Sequence, residues 1–224
     1  HALRQTDAMQ SIFADDAQMF HVPHGVFCPN TPMASDAGLE PLSGPRDIAK
    51  VKEMLKQAGY ANEKVTILAA TDYTQFKAIG EVMADIMGRI GMNVDYVATD
   101  WGTMLSRRNN RGPVDQGGWS CFNTGWEGAD HMDPSNHYAI RGNGDQRSGW
   151  PGWCVSPKLE ELRESWFEAP SVAAQQDICR QMQVQCMQDV PSIPLGQYFQ
   201  PTAYRTNVTG VKKGFPTFWG VQKS

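Results

Sequence analysis

The run Asp130-His131-Met132-Asp133, with His137 close behind, is the densest set of groups in the chain that could move a proton or bind a metal. Two carboxylates flanking a bond can act as general acid and base, as in glycoside hydrolysis, which makes Asp130 and Asp133 candidates for that pair. The competing role for Asp133 is structural, because Asp before Pro134 favours turn initiation. His131 and His137 have ligand chemistry, but their separation of six matches no standard metal motif. In His21-Val22-Pro23-His24 the proline stops a regular helix from aligning both rings, and no nearby Cys or carboxylate completes a set. No metal site is expected.

Other reaction types find less support. The chain has no G-x-S-x-G and no S-x-x-K, so no Ser nucleophile is nominated. Walker-type phosphate loops are missing, and Gly142-Asn143-Gly144 lacks the third glycine of a dinucleotide fingerprint, leaving a plain turn. No catalytic residue and no cofactor is therefore assigned. The tryptophans say more. Four of the seven, Trp119, Trp126, Trp150 and Trp153, fall between Asn109 and Trp153. Aromatic rings beside a few polar groups build small-ligand pockets, and packing of a lid or core is the competing use.

The elements that must position these residues follow from periodicity. Ser43-Gly44-Pro45 opens a helix whose apolar residues Ile48, Val51, Leu55 and Ala58 share one face before Gly59 stops it. Residues 64–70 (KVTILAA) are β-rich, Phe76, Ile79, Val82, Met83, Ile86 and Ile90 form a helical face, and residues 92–98 return to strand character. That order predicts a βαβ unit with a parallel, right-handed crossover. Residues 109–153 read as long loops around a short strand near 118–124, of the kind that often carries function. Ser156-Pro157 caps a helix through Trp166, Ser171 starts another to about Gln188, and Ile193 to Phe199 reads as a strand. The tail from Tyr204 to Ser224 has no regular pattern, and the whole is mixed α/β.

Composition bounds the partners. With 224 residues, 41% of them apolar, the chain can bury a sizeable core. A net charge of −4 with scattered Lys and Arg provides no field for a phosphate backbone, so nucleic acid is not an expected partner. No apolar run is long enough to span a membrane. Five cysteines, an odd count without zinc-like spacing, are expected mainly to pack the core. Because His1 opens what reads as a helix, further residues are expected upstream.

Several segments carry a resemblance. Thr31 to Asp36 (TPMASD) resembles a loop, and Asp47 to Tyr60 (DIAKVKEMLKQAGY) an "A-K-x-L-L-x-x-A-G-Y" helix, of the family 5 extracellular solute-binding proteins. Ile90 to Val94 with Asp100-Trp101 is similar to that family's "I-G-I-x-V … W". Gly125-Trp126, Ala129-Asp130 and Asp133-Pro134 resemble its "G-W … A-D-x-x-D-P" loop, and Asp189 to Leu195 (DVPSIPL) its "P-x-I-P-L" strand. The resemblance implies a periplasmic binding protein type II-like lobe, a mixed sheet flanked by helices. Residues 1–203 would form a partial carboxy-terminal ligand-binding lobe, and residues 204–224 a segment returning toward the other lobe.

The same resemblance implies a periplasmic, non-enzymatic and monomeric component of an ABC importer, or a cell-surface lipoprotein where there is one membrane. It would capture a di- or oligopeptide and deliver it to membrane permease subunits. Asp130 would salt-bridge the ligand's α-amino group and Trp126 would wall that end, with Asn123 and His131 as further contacts. One departure stands out: Trp126 and Asp130 are four residues apart, one more than in the peptide receptors. Other members bind nickel chelates, opines, sugars or glutathione, which are the alternative ligands. The readings from other classes are a hydrolase using Asp130 and Asp133, and a sensory or chaperone-like lobe presenting a surface to a protein.

Overall fold

The computed structural model describes residues 1–214 and 217–224. Helix α1 (Gln5–Phe13) leads to the short strand β1 (Phe20–His21), the single turn α2 (Glu40–Ser43) and helix α3 (Ile48–Gln57). The Asp47 carboxylate caps α3 by accepting from Lys50 N. Strand β2 (Lys64–Ala70) follows, then helix α4 (Thr74–Arg89), strand β3 (Asn93–Thr99), helix α5 (Trp101–Arg107) and the two-residue strand β4 (Cys121–Phe122).

β2 is the middle strand of a three-stranded sheet ordered β3-β2-β4. It pairs parallel with β3 in continuous register from Lys64↔Asn93 to Ala70↔Thr99, and parallel with β4 at Ile67↔Cys121 and Leu68↔Phe122. Burial on both faces explains its unbroken apolar run, since Ile67, Leu68, Ala69 and Ala70 are fully buried. The crossover between β2 and β3 is α4, whose buried face is Phe76, Ile79, Gly80 and Ile86. The expected βαβ unit is present, with β3 one residue later than the sequence suggests. Helix α5 was not anticipated. Its signal is a cap: Asp100 accepts from both the backbone N–H and the hydroxyl of Thr103.

Helices α6 (Pro157–Glu168) and α7 (Val172–Asp189) pack against each other and enclose a core of Phe27, Met33, Ile140, Leu159, Leu162, Cys179, Met182 and Cys186. Ser156 and Ser171 cap them as their sequence suggests. All five cysteines are free thiols. Strand β5 (Gln197–Tyr198) pairs antiparallel with β1, far shorter than the expected strand over Ile193–Phe199. Pro194 has no N–H to give a ladder and Gly196 sits at φ +126°, so regular pairing begins only after them. In the tail, β6 (Val208–Thr209) pairs antiparallel with β7 (Gln222–Lys223). Parallel and antiparallel pairing therefore both occur, in separate sheets.

One buried side chain ties these parts together. Gln183, fully buried on α7, donates its amide to Ser35 O and Ala37 O at 2.8 and 2.7 Å and accepts from Val26 N at 3.1 Å. It thereby satisfies three backbone groups of a loop that has no strand to pair with. A Cβ on Gly25 would overlap this amide, which is why glycine stands there. Gln183→Leu leaves those backbone groups without partners and is expected to lower unfolding stability by about 2–4 kcal/mol, measured by urea titration of the full-length protein.

Candidate functional site

The sheet sets the position of the site. In open α/β sheets, ligands bind in the crevice beyond the carboxyl ends of the strands, and Asn123 to Trp126 directly follow β4. A cavity of about 1330 Å³ opens there. Asn123, Trp126, His131, His137 and Trp150 line one part of it, and α4 together with residues 190–203 lines another.

The wall is a continuous stack of rings and cations. His137 lies flat on His131 with centroids 3.9 Å apart and planes 9° from parallel, His131 is 5.6 Å from Trp126, and Trp126 is 4.7 Å from Trp150. The Arg108 guanidinium continues the stack, 4.8 Å from Trp150 and 5.8 Å from Phe122, and Phe122 is 5.0 Å from Trp119. Trp119 is 5.6 Å from Trp153, which carries Arg111 at 4.7 Å. The four tryptophans of the middle segment thus both pack and line, because three of them, Trp119, Trp126 and Trp150, also face the cavity.

Polar groups on this wall are few and incompletely paired. Asn123 is buried and donates Nδ2 to Phe76 O at 2.8 Å, while its Oδ1 has no partner among the described residues. His137 Nε2 lies 2.6 Å from Val26 O, which can only accept, so this nitrogen carries the proton and Nδ1 is left bare. His131 Nε2 and His24 Nδ1 are likewise buried without partners among the described residues. Burial pushes the pKa of His137 down to about 3 and those of His131 and His24 to about 4, with the neighbouring imidazoles adding to the effect at His137 and His24. All three rings are neutral at pH 7. Burial also raises the thiol of cavity-lining Cys121 to about 11, so it is no nucleophile at neutral pH.

Of the four residues the sequence nominates, the structure brings Asn123, Trp126 and His131 to the cavity. Asp130 is not among the lining residues; its Oδ1 accepts from Asn136 Nδ2 at 3.1 Å. Asp133 is engaged in its turn, accepting from the backbone N–H of Ser135 at 2.8 Å and from the same residue's hydroxyl. Neither carboxylate of the proposed acid–base pair faces the cavity. Among the described residues, no group of three or more His, Cys, Asp or Glu is arranged to hold a metal. Of the further cavity residues, the sequence offers Trp150 as a pocket aromatic and His24 and His137 only as metal ligands, and it does not single out Glu127. The signal for Glu127 was its place directly after Trp126; the two histidines had no informative spacing.

The family model for "Bacterial extracellular solute-binding proteins, family 5 Middle" matches residues 10–148. The chain belongs to this family. A probable peptide ABC transporter periplasmic-binding protein of Sinorhizobium fredii is 35% identical over 179 residues, which are 80% of this chain and 33% of that protein. The chain thus spans about a third of the length of this relative. The fold matches the dipeptide-binding protein of Pseudoalteromonas sp. SM9913 solved with Met-Leu, at a TM-score of 0.77 and 18% identity over all of this chain and 44% of that one. It also matches a Helicobacter pylori periplasmic binding protein solved with the peptide STSA, at a TM-score of 0.74 and 20% identity over all of this chain and 42% of that one. A further match, at a TM-score of 0.66 and 14% identity, covers all of this chain and 45% of a protein from A. tumefaciens R10 solved with agropinic acid. The fold is therefore that of a family 5 periplasmic binding protein lobe.

The buried histidines have a consequence for stability. Their folded pKa values lie below the ordinary 6.5, so between about pH 6.5 and pH 4 the unfolded chain binds more protons than the folded one. Their contribution is complete above pH 6.5 and shrinks as the pH falls through that window. Urea unfolding at stepped pH is expected to show stability falling from pH 6.5 to 4.5, with a shallower slope in His137→Gln than in the parent.

Proposed function

We propose that this chain is a ligand-binding lobe of the substrate-binding component of an ABC importer, capturing a di- or oligopeptide for delivery to membrane permease subunits. The observation that carries this reading is that the unpaired Oδ1 of Asn123 and the neutral ring of His131 line the same cavity as Trp126 and Trp150. An acceptor without a partner suits a peptide N–H, and flat aromatic faces suit varied side chains at low ordering cost. The peptide-binding names of the Sinorhizobium and Pseudoalteromonas relatives support the same ligand class. Residues 1–203 would form the lobe and residues 204–224 a segment returning toward the other lobe, with the ligand enclosed by hinge closure.

The protein is a binder and not an enzyme in this reading, since both carboxylates of the acid–base alternative are held by neighbouring residues away from the cavity. Its place is the periplasm, or the outer surface of a cell with one membrane. A non-peptide solute is the second reading within the family, favoured by the match to the agropinic acid complex.

Calorimetric titration of the full-length protein with a short-peptide mixture is expected to give saturable heat. Recovery of the peptides intact by mass spectrometry excludes turnover. Trp126→Ala is expected to weaken binding by about tenfold or more through loss of the aromatic contact. Absence of heat with every peptide transfers the assignment to an opine, sugar or chelate.

A further inference from the structure

We infer that the cavity selects ligand side chains that bring hydrogen-bond donors, a carboxamide above all, and turns away the isosteric carboxylates. This rests on the peptide-binding reading above and specifies which side chains such a peptide carries into the cavity. Two atoms carry the argument, Asn123 Oδ1 and His137 Nδ1. Each belongs to a cavity-lining residue no more than 3% exposed, and each lacks a partner among the described residues.

The character of both atoms is fixed from behind. Asn123 Nδ2 donates to Phe76 O at 2.8 Å, and a carbonyl oxygen can only accept, so the amide cannot flip and its free atom is the oxygen. His137 Nε2 meets Val26 O at 2.6 Å, which fixes the tautomer in the same way and leaves Nδ1 as a lone pair. An unconstrained Asn or His turns, or changes tautomer, to suit either a donor or an acceptor. These two cannot, because each has already committed its donor to the backbone. The carbonyls are themselves held, since Phe76 lies in α4 and the backbone of Val26 is bound by Gln183.

The rest of the wall does not offset this bias. Among the described residues no Lys or Arg lines the cavity, so a ligand carboxylate finds no cation there. Protonation of His137 would create a donor, but burial and the neighbouring His131 imidazole, stacked on it at 3.9 Å, hold its pKa down at about 3. A carboxylate entering the cavity therefore gives up its water for acceptors and aromatic faces. A carboxamide of the same shape gives up its water and gains N–H bonds to acceptors that otherwise stay unpaired. Sites built this way reject an analogue lacking the required donor far more strongly than an apolar pocket rejects a change in size.

Calorimetry on the full-length protein at neutral pH tests this with short peptides that are identical except at one position, which carries in turn Gln, Glu or the γ-methyl ester of Glu. Gln has donors and no charge, Glu is an anion, and the ester is neutral without a side-chain donor. At one position at least, the Gln peptide is expected to bind about tenfold or more tightly than both others. His131→Arg places a cation against the His137 ring and keeps a planar group that can stack on Trp126. It is expected to narrow the Gln-to-Glu ratio at that position about tenfold, with circular dichroism checking the fold; if it misfolds, the parent comparison decides alone. Equal affinity for Gln and Glu peptides at every position overturns the inference. So does an ester that binds as well as Gln, and so does an unchanged ratio in folded His131→Arg. Absence of heat with every peptide overturns the peptide-binding reading itself, and this inference with it.

Discussion

The Gln183 amide is the constraint on which the site depends. It is one of few fully buried polar side chains, and all of its capacity goes to a loop that contributes no strand to the sheet. The loop matters because its backbone in turn positions the histidines. Val26 O accepts from His137, and Cys28 N donates to His131 O at 2.8 Å, so the loop that Gln183 fixes decides where both rings stand. From His131 the stack runs outward through Trp126 and Trp150 to Arg108. A core amide on the last long helix is thus linked to the aromatic wall through the backbone of one loop.

That wall solves a problem the sequence creates. The segment from Asn109 to Trp153 contains only the two-residue β4 and short 3₁₀ turns, and such loops have little backbone pairing to hold them. Stacked rings and guanidinium groups supply cohesion without donors and acceptors at every position. Where the loops do bond, they bond to helix anchors. Arg141 and Glu160 form a bidentate pair at 2.8 and 3.0 Å, and Glu160 also accepts from Gly142 N, tying the loop to α6. Ser156 spends its hydroxyl twice, capping α6 and donating to Asp189 at the end of α7.

The parts of the fold legible in the sequence are those where one period dominates. KVTILAA and the α4 face have uniform signals, and both elements lie within a residue or two of expectation. Residues 193–199 misled because Ile193, Tyr198 and Phe199 suggested a strand while Pro194 and Gly196 denied it a hydrogen bond and extended geometry. Asn123 and Trp126 reach the cavity because the end of a strand delivers them there directly. Asp130 lies off the cavity lining because a motif gives order along the chain, whereas the facing of each side chain depends on the phase of the 3₁₀ turn over Gly128–His131.

The electrostatics of the cavity then follow from burial more than from charge. Three imidazoles cluster where protonation is disfavoured, so they offer lone pairs and flat faces but no positive field at neutral pH. With the histidines neutral and the Cys121 thiol protonated, the imidazole end of the wall offers acceptors to N–H groups, while Arg108 and Arg111 carry the positive charge farther along the stack. The wall therefore combines two separable features: acceptors that burial keeps neutral, and stacked rings that hold the loops carrying them.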